Sequence, residues 1–114
     1  MTKRSEEKYL ADMLQYALEA RELSRDADIA TFYTNRTLQL ALAHLVQTVG
    51  EAATRVPEST RATLPDLPWE RITGMRHRLV HDYGNVRYDV VWDVVQNDLP
   101  PLIAVLERIA PDDE

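Results

Sequence analysis

Between Arg76 and Tyr83 the chain carries two arginines, two histidines, an aspartate and a tyrosine within eight residues, in the run Gly74-Met75-Arg76-His77-Arg78-Leu79-Val80-His81-Asp82-Tyr83. A histidine gives or takes a proton near neutral pH. An arginine presents a planar, permanently charged fork that suits a phosphate. Together they are the parts for cleaving a phosphodiester without a metal. A histidine helps a ribose 2′-hydroxyl attack its own phosphate, and an arginine stabilises the charge that develops. Two plainer readings compete. Cations at the C-terminal end of a helix interact favourably with its last carbonyls. His77 and His81 also stand four apart, a spacing that suits a metal pair on one helix face. No third ligand accompanies them at local spacing, so neither a metal nor a cofactor is expected. Tyr83 adds a hydroxyl at a turn, within reach of solvent. His44, alone in an earlier helix, is expected to be packed or partly buried and is given no role.

The elements that must position this segment are helical throughout. Ser5 is a candidate N-cap, with Glu6 and Glu7 near the positive end of the helix dipole. Leu10, Met13, Leu14, Ala17 and Leu18 recur at helical spacing and predict a first helix to about Arg25. Asp26 and Asp28 interrupt it, and either can cap the next helix. A long second helix is predicted from Ile29 to Arg55, apolar on more than one side. Such a helix is either central in a bundle or shared with a partner chain. Gly50 inside it costs about 1 kcal/mol relative to Ala, and a close helix–helix approach would explain its presence.

The three prolines from Pro57 to Pro68 mark a loop with one short helical turn, and Pro68 suits the first turn of a third helix. Trp69, Ile72, Met75, Leu79 and Val80 give that helix its core face, and Asp82-Tyr83-Gly84-Asn85 is turn chemistry that ends it. A fourth helix starts near Tyr88 or Asp89, and Pro100-Pro101 should kink or break it. The fold class is therefore all-α, an antiparallel bundle of four to five helices forming one domain over residues 1–114.

Composition limits function without naming it. The chain has 114 residues, no cysteine and a net charge of −6, which excludes disulfides and thiolate chemistry and argues against a general nucleic-acid binder. The charge is uneven. Residues 89–114 carry −6, residues 1–88 balance, and the window 69–88 carries +2 from Arg71, Arg76, Arg78 and Arg87 against Glu70 and Asp82. No stretch has the length of a secretion signal or a membrane span, so a cytoplasmic protein with no membrane contact is the expectation.

Arg76-x4-His81-x-Tyr83 resembles the Arg-x4-His-x-Tyr signature of HepT-like toxins, members of the HEPN superfamily (higher eukaryotes and prokaryotes nucleotide-binding). Gly50-Glu51-Ala52-Ala53 is similar to that family's Gly-Glu-Ala segment, and Trp69 and Gly74-Met75-Arg76 to the run leading into its motif. Val91-Trp92-x-Val94-Val95-x-Asn97-Asp98-Leu99-Pro100 is similar to its C-terminal half. The resemblance spans about residues 8 to 107.

The resemblance implies an HEPN-like fold and a metal-independent endoribonuclease, the toxin of a type VII-like toxin–antitoxin pair. It implies Arg76 and His81 as catalytic residues, RNA as substrate, and a homodimer whose two motifs meet at a cleft. It further implies a minimal nucleotidyltransferase antitoxin (MNT) that silences the toxin by AMPylation of Tyr83. His77 and Asp82 depart from the residues common at those positions and are candidate auxiliary residues. Asp82 either lowers RNA affinity or orients His81.

Helix geometry bears on the same site. Five positions on an ideal helix rotate by about 500°, leaving Arg76 and His81 about 140° apart. Either the helix ends before His81 or a second chain completes the site. The alternative function is a non-catalytic HEPN dimer that binds nucleotide, RNA or only its partner protein; a helical dimer without a ligand is the third. The acidic net charge favours these two.

Overall fold

The computed structural model describes residues 3–80 and 85–109. Within them the chain is all-α, with one isolated antiparallel bridge, Val80 to Val86, and no strand. The first helix, α1 (Lys3–Ser24), buries Leu10, Met13, Ala17 and Ala20 along one stripe. Ser5 lies inside this helix and is not its cap. Ser24 ends the stripe, its buried hydroxyl donating to the carbonyl of Ala20 at 2.9 Å.

Where one long second helix was expected, there are two. Asp28 caps α2 (Ile29–Thr34), its carboxylate accepting from the Thr31 N–H at 2.8 Å. That bond holds the Asp28 carboxyl below its ordinary pKa. Asn35 then takes an extended conformation, and its side chain accepts from the Leu38 N–H at 2.9 Å to start α3 (Arg36–Thr54). A short amide side chain that bonds its own backbone competes with helix continuation, and here it wins.

Helix α3 is the centre of the fold. Leu42, Leu45, Val49 and Ala52 are buried, and so are Ala43, Val46 and Ala53 on a neighbouring side. Its C-terminal half packs on the N-terminal half of α1, with Tyr9, Asp12 and Tyr16 facing Thr48, Glu51 and Arg55 across one groove, as antiparallel packing requires. Much of the apolar surplus of this region is thus absorbed within one chain. What stays exposed is Leu23, Ile29, Tyr33 and Leu40. His44 is exposed, not packed.

After α4 (Glu58–Ala62), the one short helical turn of the proline segment, the chain forms α5 (Trp69–Thr73) and α6 (Met75–Leu79) in place of one third helix. Gly74 separates them, its N–H still bonded to the carbonyl of Glu70 at 3.0 Å. Pro68 stands at the N-cap of α5.

The last helical stretch begins at Tyr88 with α7 (Tyr88–Asp93) and ends with α8 (Leu99–Ile109). Pro100 and Pro101 do not break it. A π turn over Val94–Asp98 precedes them, closed by the Leu99 N–H on the Val94 carbonyl. Neither proline can donate to the preceding turn. Widening that turn by one residue keeps the helix continuous past them.

Candidate active site

Helix α6 is five residues long and shows three different sides. Met75 and Leu79 are buried against the core. Arg78 turns to one flank, where it meets α7 and the π turn: its guanidinium lies 3.1 Å from Asp98 Oδ2 and 3.7 Å from Asp93 Oδ2. Arg76 lies on the other flank, and His77 between them points away from the core; both are exposed. The two arginines are separated by about 160° around the helix, as positions two apart must be.

The helix stops at Leu79. Val80 is extended, at φ −104° and ψ 124°, and pairs with Val86, while the Arg87 N–H donates to the Leu79 carbonyl at 2.6 Å. A β-branched residue favours this extended pairing. The third helix therefore ends before His81, and not at the turn residues. This settles the rotation problem: Arg76 and His81 do not share an ideal helix, so helical twist alone does not demand a second chain. The bridge sets Val80 beside Val86, so the chain leaves and re-enters the described fold at one place, next to α6. His81, Asp82 and Tyr83, and with them the expected turn around Tyr83, lie outside the described residues.

Charge in the basic window is mostly spent internally. Arg71 on α5 lies 3.1 Å from Asp98 Oδ1, and Arg87 pairs with Asp89 at 2.8 Å. That pair raises the pKa of Arg87 and lowers that of Asp89 through a shared hydrogen bond. With Arg78 also paired, three of the four arginines of the window are neutralised. Among the described residues Arg76 is the one arginine of the four without a carboxylate partner. Helix α6 thus presents, among the described residues, one guanidinium without a carboxylate partner and an exposed imidazole next to it in sequence.

A cavity of about 230 Å³ lies between α5 and α8, lined by Arg71, Ile72, Met75, Asp98, Pro101 and Leu102 among others, and neither Arg76 nor His77 faces it. The described residues of the candidate site, Arg76 and His77, therefore lie at the surface. Among the described residues no three His, Cys, Asp or Glu gather as a metal site would require, and His81 falls outside that search. No described helix is long and apolar enough to cross a membrane.

The pattern that defines the HepT-like ribonucleases matches residues 13–109, from the middle of α1 to the last residue of α8. The chain belongs to the HepT-like ribonuclease family. Among its relatives, a protein of Methanocaldococcus jannaschii whose name proposes an RNase is 30% identical over 112 residues, covering 98% of this chain and 97% of the relative. A protein of Thermococcus cleftensis named "Probable ribonuclease HepT" is 29% identical over 107 residues, covering 94% and 97%. A protein of Caldanaerobacter subterraneus whose name also proposes an RNase is 28% identical over 101 residues, covering 89% and 90%. No solved structure matches significantly.

One functional feature of this HepT-like chain escaped the reading of its sequence. The acidic C-terminal segment and the basic window appear there as separate blocks of charge, whereas Asp98 joins them. A signal was present: Arg71 and Arg78 are seven apart, two helical turns, and so fall on one side of a helical segment.

Proposed function

We propose that the protein is a metal-independent endoribonuclease, the toxin of a toxin–antitoxin pair. Arg76 binds the scissile phosphate and stabilises its developing charge, and His81 moves the proton. The observation that carries this reading is the Arg76 guanidinium, exposed on α6 and without a carboxylate partner among the described residues, while its neighbours Arg71, Arg78 and Arg87 are paired with aspartates. His77 and Asp82 act as auxiliary groups. Family membership and the names of the relatives support RNA as the substrate.

The working form is a homodimer in the cytoplasm. Exposed Leu23, Ile29, Tyr33 and Leu40, all in the first forty residues, offer apolar area for a second copy. The antitoxin is an MNT-type nucleotidyltransferase that attaches AMP to Tyr83. The added anion then occupies the phosphate site beside Arg76 and blocks RNA.

Expression alone should arrest bacterial growth, Arg76→Ala and His81→Ala should each relieve the arrest at equal abundance, and co-expression with the nucleotidyltransferase should add the mass of AMP at Tyr83. Arrest by both variants equal to that of the wild type would defeat the ribonuclease reading.

A non-catalytic module that binds RNA or nucleotide is the second reading. The neutralised window favours it, because RNA affinity rests on phosphate contacts and three arginines are already engaged. That reading predicts RNA binding without any cleavage product.

A further inference from the structure

Asp98 is the last residue of the π turn, and its side chain is only 12% exposed. Its two oxygens are divided between two helices: Oδ1 takes Arg71 of α5 and Oδ2 takes Arg78 of α6, each at 3.1 Å. The two arginines lie on either side of the Gly74 break. A five-residue helix has no stability of its own, since nucleation is costly and few hydrogen bonds repay it. The angle between α5 and α6 is therefore set by what they are tied to, and both are tied to one carboxylate. Core packing of Ile72, Met75 and Leu79 fixes their depth; Asp98 fixes their rotation.

The π turn makes this possible. Asp93 and Asp98 are five apart and would point about 140° away from each other on an α-helix. The wider turn brings them to one side, where both reach Arg78, at 3.7 and 3.1 Å. Holding Arg78 on that flank obliges Arg76 to face the opposite one.

We infer that Asp98 is a positioning residue for Arg76: its carboxylate clamps α5 and α6 in the rotation that presents the Arg76 guanidinium to the scissile phosphate. This deepens the ribonuclease reading and rests on it. Asp98 touches no substrate. It acts through the Arg78 flank of the helix that carries Arg76.

The experiment compares Asp98→Asn, Asp98→Glu and Asp66→Asn on RNA cleavage in the full-length protein. Asp66, in the exposed pair with Arg108, controls for the loss of one negative charge. Asp98→Asn should lower kcat about tenfold or more, because small misplacements of a reacting group cost that much or more, while KM stays within about twofold of wild type. Asp98→Glu, which keeps the charge, should recover part of kcat. Asp66→Asn should match wild type. An unchanged kcat with a lower KM would show that Asp98 acts only by repelling RNA, and a kcat loss that merely tracks the folded fraction by circular dichroism would show a purely structural role; either overturns the proposal.

If the wild type cleaves no RNA, the ribonuclease reading fails by itself. The clamp is then decided by hydrogen exchange. Asp98→Asn should speed exchange of the Arg78 and Val80 amides, which bond to Gly74 and Arg76, and leave the amides of α1 and α3 as they were. A uniform change, or none, overturns the clamp as well.

Discussion

Gly50 of α3 lies against the carbonyl of Ile72 so closely that a Cβ at position 50 would stand 3.1 Å from that oxygen, and 3.5 Å from the Cβ of Met75. The neighbour is backbone, and it belongs to the segment leading into α6. Gly50→Ala removes about 1 kcal/mol of helix-propensity cost but imposes an overpacking cost of about 1–3 kcal/mol. The net effect expected is a destabilisation of up to about 2 kcal/mol, read by urea unfolding. Activity should fall further than stability, because the displaced element carries Arg76. A variant more stable than wild type would show that Ile72 yields freely.

The same contact shows how much was legible beforehand. Gly50 within an apolar helix suggested a close approach, and helical periodicity placed every long helix and the start at Tyr88. Three local decisions were not legible. Asn35 and Gly74 each divide a helix that the apolar spacing runs through without pause, and the π turn widens one that stays continuous, since spacing records which face is buried and not where hydrogen bonding changes partner. At the site, the spacing of seven that sets Arg71 and Arg78 on one side was legible, but their pairing with Asp98 was not. Their partner lies twenty or more residues on, and only the fold brings it near. His44 was misjudged for a similar reason: it stands one residue beyond buried Ala43, on the solvent side of the central helix.

Phe32 is fully buried, with its ring 5.0 Å from that of Trp92 and 6.4 Å from that of Tyr88. It fastens the short α2 to α7. Phe32→Ala should cost about 3–5 kcal/mol. Chemical denaturation tests this, and a loss below about 1 kcal/mol would show that α2 does not dock in solution.

Asp28 predicts an acid-sensitive helix start. Its folded pKa is lowered from the ordinary 3.8 by the Thr31 N–H. The cap is therefore fully formed above the unfolded value and is lost as pH falls through the lower folded value. Protection of the Thr31 amide should fade across that acid range in wild type. It should stay level in Asp28→Asn, which caps without a charge. Equal fading in both would contradict the assignment.

His77 and His81 should separate by function. His81→Ala removes the proposed proton carrier and should lower the cleavage rate about 10²–10⁴-fold. His77→Ala should cost much less, since His77 is exposed next to Arg76 and is proposed only as an auxiliary. Rate measurements on one oligoribonucleotide decide the order, and a larger loss at His77 would exchange the two roles.

The most direct measurement is the chemistry of the product. Wild-type protein incubated with single-stranded RNA in excess EDTA should cleave it and leave a 2′,3′-cyclic phosphate, identified by mass spectrometry. Arg76→Ala, folded as wild type because no described partner is lost, should be slower by about 10²–10³-fold. Cleavage abolished by EDTA, or Arg76→Ala cutting as fast as wild type, would contradict a metal-independent site built on Arg76.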